Sequence, residues 1–252
     1  MIRILIHGFN GKMGRMLYQA VKADERAEAA CGVDFYGDTT SYEGIPVYKR
    51  LEEVKTPVDV LVDFSSHTAI YDILPYAINR KIPCVLATTG YADQEKALIK
   101  EASEKIPIFT TGNMSVGVNV MKKLVGAAAR MFGDKADIEI IESHHNQKAD
   151  APSGTALLLF DAIKEARPGL KPAYCREGLV GKRSPGEVGF HSIRGGTIVG
   201  KHEVMFIMDN EIFTIKHEAE SRAIFANGAI NAAVFIKDKE NGLYSMKEML
   251  EN

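Results

Sequence analysis

The sequence predicts an α/β fold, a doubly wound parallel sheet with a second α+β domain, and three observations predict it. The first is an apolar run, Ile2, Ile4, Leu5 and Ile6, that ends in the turn Gly8-Phe9-Asn10-Gly11-Lys12-Met13-Gly14. Met13, Met16, Leu17, Ala20 and Val21 follow at helical spacing. The second is a regular alternation of short apolar runs with helical patterns as far as Phe109. The third is a change of texture beyond Met131, where polar alternation and hairpin turns take over. A length of 252 residues with 46% hydrophobic content is enough for one large or two ordinary domains with a sizeable core.

Strand, glycine turn and helix in that order outline a Rossmann-like dinucleotide-binding unit. The spacing is Gly-x-x-Gly-x-x-Gly instead of the commoner Gly-x-Gly-x-x-Gly, so the weight falls on what surrounds it. Glycines that only pack a helix on a sheet are the competing reading. A second strand, Ala27 to Val33, ends at Asp34, 20 residues beyond Gly14, where a carboxylate accepts hydrogen bonds from the adenosine ribose. Gly8, Phe9, Asn10, Gly11, Lys12, Met13, Gly14 and Asp34 are therefore candidate cofactor-binding residues. A 2′-phosphate needs cations, yet Phe35 and Tyr36 follow Asp34. NADH is thus expected to be preferred or used alongside NADPH, with Lys12 as the charge that keeps NADPH in reach.

The alternation continues with a strand over Val58 to Phe64, ending in Ser65-Ser66, and a helix from about Thr68 to Arg80. Ile82 to Ala87 is a strand ending in Thr88-Thr89-Gly90; a helix from about Asp93 to Lys105 leads to Ile106 to Phe109 and Thr110-Thr111-Gly112-Asn113-Met114. The carboxyl ends of parallel strands line one crevice, so these polar ends are candidates to hold pyrophosphate and ribose. An apolar helix then runs from Ser115 to about Met131. Later strands are expected at Gly189 to Ile193, Val204 to Met208 and Ile212 to Lys216, the last two flanking the turn Asp209-Asn210-Glu211 and antiparallel in character. Phe206, Ile207, Phe213 and Ile215 are either core or subunit contact. Ser221 is placed to cap a last helix, Arg222 to Phe235.

The chemistry concentrates between Glu139 and Ala156. Asp137 to Ser143 alternates like a half-buried strand, which puts His144 at a strand end. Pro152 interrupts any helix, and Ser153 can cap the apolar run from Ala156 to Phe160. His144, His145, Lys148, Glu139, Glu142 and Asp150 thus stand on or beside a loop before Ser153-Gly154-Thr155. The N–H groups near Gly154 and Thr155 suit an anion, a carboxylate above all. A solvated loop is the plain alternative. A metal site is disfavoured because no cysteine or third histidine stands nearby at ligand spacing.

The string Glu-Ile-x-Glu-x-His-x-x-x-Lys-x-Asp-x-Pro-Ser-Gly-Thr-Ala resembles, without departure, that of the 4-hydroxy-tetrahydrodipicolinate (dihydrodipicolinate) reductase family. The absence of an arginine directly after Asp34 departs from many of its members. The resemblance implies reduction of a cyclic imine dicarboxylate by NAD(P)H with loss of water. It implies His144 and Lys148 as the proton-transfer pair, His145, Ser153, Gly154 and Thr155 as substrate-binding residues, and nicotinamide against Ala87, Thr88, Thr89 and Thr111, Gly112, Asn113, Met114. Glu139, Glu142 and Asp150 are expected as supports, and Arg194 as either a substrate contact or a surface charge. It also implies a nucleotide domain over 1–114 completed by about 222–252, a substrate and oligomerisation domain over 115–221, and a homotetramer. Another two-domain NAD(P) dehydrogenase, acting on aspartate or homoserine, lacks support in this loop. A nucleotide-sensing regulator would be expected to lack the acid/base pair.

A net charge of −2, from 31 basic and 33 acidic residues, provides no global field toward nucleic acid or an anionic membrane. Ala223 to Ile236 is apolar but broken by Asn227, Gly228 and Asn231, so no membrane span is expected. Cys31, Cys84 and Cys175 lack paired spacing and read as reduced packing residues. Met1 to His7 enters a strand pattern directly, which makes a leader unexpected and the cytoplasm the default.

Overall fold

The computed structural model describes residues 1–37, 40–174 and 176–251. Cys175 lies outside them. In chain order the elements begin β1 (Ile2–His7), α1 (Lys12–Lys22), β2 (Ala27–Val33), β3 (Ser41–Tyr42), β4 (Ile45–Tyr48) and β5 (Val60–Asp63). They continue α2 (Ile70–Arg80), β6 (Cys84–Leu86), α3 (Asp93–Ser103), β7 (Pro107–Thr110), α4 (Val116–Phe132), β8 (Asp137–His144), α5 (Gly154–Ala166) and β9 (Lys171–Ala173). Last come β10 (Glu187–Arg194), β11 (Gly200–Ile207), β12 (Ile212–Ala219), α6 (Ala223–Ile236), β13 (Gly242–Tyr244) and α7 (Met246–Glu251). The chain divides into two compact units, one of Met1–Ser115 with Ala223–Asn252 and one of Val116–Arg222.

In the first unit the described residues form an eight-stranded sheet, ordered β13-β7-β6-β5-β1-β2-β4-β3. All neighbours are parallel except β3 with β4. The sheet is doubly wound because successive side chains of a strand face opposite ways and both faces are covered. Ile4 and Ile6 pack with Leu17 of α1 and Ala229 and Ile230 of α6, whereas Leu5 packs with Ile70 and Ile73 of α2 and Ile99 of α3. Strand order reverses between β2 and β5 on either side of β1, which opens a crevice at their carboxyl ends.

The second unit carries a five-stranded sheet, β12-β11-β8-β10-β9. The antiparallel expectation holds only for half of it: β11 pairs antiparallel with β8 and β12, while β8, β10 and β9 run parallel. One face is covered by α4 and α5, through Val125, Ala129, Leu159 and Ile163 against Ile138, Ile140, Val204 and Phe206. Phe206 is buried on that side, and Ile215 packs against the same core from the edge strand. The opposite face bears Ile193 and Ile212, each half exposed or more.

The cysteine thiols that the structure describes, Cys31 and Cys84, are buried and free. Burial pushes Cys31 up to about 12 and raises Cys84 as well, so both stay as inert thiols. Among the described residues no helix is long and apolar enough to cross a membrane. Helix α6 is held very close to the loop after β7, because a Cβ on Gly228 would lie 1.8 Å from the Met114 carbonyl oxygen. Gly228→Ala is therefore expected to push α6 off the sheet and cost about 1–3 kcal/mol. Denaturant titration checks this, and an unchanged midpoint would show that the helix has room the packing does not reveal.

Candidate functional site

In the first unit, the crevice at the strand ends is a cleft of about 710 Å³ lined by His7, Gly8, Gly11, Asp34, Lys49 and Arg50 among others. Gly8 sits at φ +77°, and a Cβ there would lie 2.8 Å from the Phe64 carbonyl oxygen. On Gly14 a Cβ would lie 2.2 Å from the Gly8 oxygen, so only glycine lets α1 start this close to the turn. The turn is thus a bare-backbone cradle of the kind a pyrophosphate requires. Asp34 is tied to it: Oδ2 accepts from the Asn10 N–H at 2.8 Å and Oδ1 from the Tyr36 N–H at 2.9 Å.

Several expected cofactor residues are placed differently from the glycines. The Phe9 side chain is fully buried, edge-on to Tyr18 and Tyr42, so only its backbone belongs to the turn. Lys12 is exposed at the start of α1. Thr88 uses its hydroxyl on Asp63, to which it donates at 2.7 Å. The same buried Asp63 meets His7 Nδ1 at 2.8 Å and Ser65 Oγ at 2.5 Å, so one carboxylate joins the ends of β1, β5 and β6. Ala87 is buried and Thr89 exposed. Thr111, Gly112, Asn113 and Met114 form a turn after β7, held by bonds such as Ser115 N–H to Asn113 Oδ1 at 2.8 Å. These last two segments lie along the same sheet edge but do not line the cleft.

The second unit brings His144, Lys148 and the start of α5 to the end of β8, and the centre of the arrangement is Glu142. Its carboxylate is 1% exposed. It accepts from Arg194 Nη1 at 2.8 Å and Nη2 at 2.7 Å, and from the Ser153 N–H at 3.2 Å, and it stands 2.6 Å from His144 Nδ1. Burial alone would raise this carboxyl, but the bonds from Arg194, Ser192 and His144 outweigh it and bring it down to about 2. Glu142 is ionised, so the proton of the bond to His144 lies on Nδ1. The His144 imidazole is pulled below its ordinary value by burial first and by the nearby Lys148 and Arg194 charges, against the pull of Glu142. It is neutral at neutral pH, with a lone pair at Nε2.

Lys148 pairs with Asp150 at 2.7 Å, and His145 Nε2 accepts from Arg222 at 3.2 Å. Ser153 caps α5, its Oγ accepting from the Ala156 N–H at 3.2 Å. Gly154 and Thr155 form the first turn, with nothing within 4 Å of the place a Gly154 Cβ would occupy. Glu142 holds His144 and the Ser153 N–H, and Asp150 holds Lys148, the contacts a supporting carboxylate would make. Glu139 makes none of them: strand parity turns it to the other face, where it meets Arg176, Arg183 and His191.

Sequence reasoning left one feature open and missed two. Arg194 is no free surface charge; besides Glu142 it donates to the Asp150 carbonyl at 2.7 Å and so fastens the loop. His202, 4% exposed, stands 2.9 Å from Ser153 Oγ. Its signal was present, since it falls in phase with the buried Val204 and Phe206. Lys49 and Arg50 enter the cleft of the first unit from the end of the strand beside β2, which no local pattern near Asp34 announces.

The model of the N-terminal part of dihydrodipicolinate reductase matches residues 2–114, and that of the C-terminal part matches 117–250. The 4-hydroxy-tetrahydrodipicolinate reductase of Caldanaerobacter subterraneus subsp. tengcongensis is 46% identical over 252 residues, covering 100% of this chain and 99% of its own. That of Clostridium tetani is 44% identical over 253 residues, with coverages of 100% and 98%. Among solved structures, a dipicolinate-bound dihydrodipicolinate reductase from Paenisporosarcina sp. TG-14 aligns with a TM-score of 0.82 and 27% identity, covering 97% of each chain. A chain so matched from end to end belongs to the dihydrodipicolinate reductase family, NAD(P)H-dependent oxidoreductases that carry out the reduction of 4-hydroxy-tetrahydrodipicolinate in lysine and diaminopimelate biosynthesis.

Proposed function

We propose that His144 and Lys148 are the proton-transfer residues of this reduction, that Ser153, Gly154, Thr155 and His145 bind the dicarboxylate, and that the glycine turn with Asp34 binds the nucleotide. The observation that carries the reading is the bond between His144 Nδ1 and ionised Glu142 at 2.6 Å, which leaves Nε2 as the proton acceptor. The bound nucleotide supplies the hydride. Water leaves the substrate only if a proton is taken from the carbon beside the imine and another is given to the departing hydroxyl. His144 Nε2 takes the first, and the Lys148 ammonium, held by Asp150, gives the second. After hydride addition, His144 returns its proton to the same carbon. Glycine at position 200 keeps that nitrogen clear, since a Cβ there would crowd Nε2 at 3.2 Å.

One substrate carboxylate lies against the N–H groups that open α5, where the helix dipole favours an anion. Lys148 and His145 answer the other. The dipicolinate bound to the Paenisporosarcina enzyme is a dicarboxylate, which supports a ligand with two carboxylates to hold.

For the cofactor we propose dual use, with NADH preferred. Asp34 favours free ribose hydroxyls, although two backbone N–H bonds already draw on its charge. Arg50 is exposed beside it in the same cleft and supplies the cation that Phe35 and Tyr36 do not. The homotetramer and the cytoplasm are proposed from the family resemblance, and the half-exposed Ile193 and Ile212 offer apolar area for a subunit contact.

Oxidation of NADH and of NADPH, with substrate made in place from pyruvate and aspartate semialdehyde, tests these assignments. His144→Gln is expected to lower kcat by on the order of 10²–10⁴ with nucleotide affinity unchanged. Equal loss of both would remove His144 from the chemistry. Arg50→Ala is expected to lower kcat/KM for NADPH about tenfold while sparing NADH; a parallel change with both nucleotides would place the phosphate contact elsewhere.

A further inference from the structure

His202 is a second buried imidazole beside His144, and no step of the reduction uses it. It stands on β11 with its ring centroid 5.2 Å from that of His144, at an interplanar angle of 71°. Its Nε2 is 2.9 Å from Ser153 Oγ, the atom that also caps α5 by accepting from the Ala156 N–H at 3.2 Å. Glu142 and His144 face it from β8, Lys148 from the loop, Ser153 from the start of α5, and His217 from its register partner position on β12. Burial, followed by the neighbouring His144, depresses His202 to about 4, so it is neutral and uncharged against Lys148. A neutral ring in a close-packed site with one hydroxyl partner has a holding role.

We infer that His202 is a positioning residue: it fixes the Ser153 hydroxyl, and with it the first turn of α5, in the orientation that receives the substrate carboxylate, while its ring edge sets the plane of His144. This rests on the assignment of Ser153 to Thr155 as the carboxylate cradle. Gln has an amide that reaches where Nε2 does, whereas Asn and Leu do not reach Ser153.

The test is steady-state kinetics of His202→Leu, His202→Asn, His202→Gln and Thr155→Val with the dicarboxylate substrate and NADH. Leu and Asn should each raise substrate KM about tenfold, with a smaller loss of kcat and no change in KM for NADH. Gln should return KM to within about twofold of the parent. If Leu fails to fold, the contrast between Asn and Gln decides. Thr155→Val reports on the cradle by itself. A raised KM in Thr155→Val with parental KM in Leu or Asn would overturn the role of His202 and leave the cradle standing. Parental KM in all four would overturn both. Equal impairment of Asn and Gln, or a matching rise in KM for NADH, would mean that His202 only maintains the fold.

Discussion

The arrangement at the end of β8 depends on one buried carboxylate. Taking Glu142 out of water costs several kcal/mol, which only a close cation and a full set of donors offset. Arg194 supplies both, through two bonds to the two carboxylate oxygens. Parallel pairing of β8 with β10 sets Arg194 directly across from His144, so the guanidinium arrives beside Glu142 by register. Among its further donors are His144 Nδ1 and the N–H of Ser153, the groups of the proposed chemistry. Removing one partner of such a pair costs about 3–5 kcal/mol, toward the low end here because the Arg194 side chain is 20% exposed. Stability and catalytic geometry therefore share the same bonds.

The nucleotide half solves a different problem with the same economy. The proposed pyrophosphate contact needs bare backbone, and the turn stays bare at Gly8 and Gly14 because neither position tolerates a Cβ. Asp63 then clips three strand ends through His7, Ser65 and Thr88, its two oxygens shared among several hydrogen-bond partners. This is why Thr88, legible as a polar strand end, has its hydroxyl turned to the protein's own carboxylate.

What was legible in the sequence was what is local in the chain. The glycine turn, the helix cap at Ser153 and the strand ends before Ser65 and Thr88 are each encoded within a few residues, and the structure forms them there. What was not legible comes from pairing across many residues. Arg194 and His202 reach the site only because β10 and β11 flank β8, and Lys49 and Arg50 only because β4 lies next to β2. Glu139 was grouped with Glu142 by proximity, yet an offset of three along a strand puts the two on opposite faces. Phe9 stands inside the turn as a core anchor, packed where a Cβ on Gly32 would collide with its ring. β3, β9 and β13 are two or three residues long and carry no period of their own.

The most direct measurement is the protonation of His144, read by nitrogen-detected NMR of the imidazole across pH in the full-length protein. The account predicts a neutral ring bearing its proton on Nδ1 at neutral pH, titrating below 6.5, since burial, Lys148 and Arg194 together outweigh Glu142. A proton on Nε2, or titration above 6.5, would contradict it and take away the acceptor on which the proposed proton transfers rest.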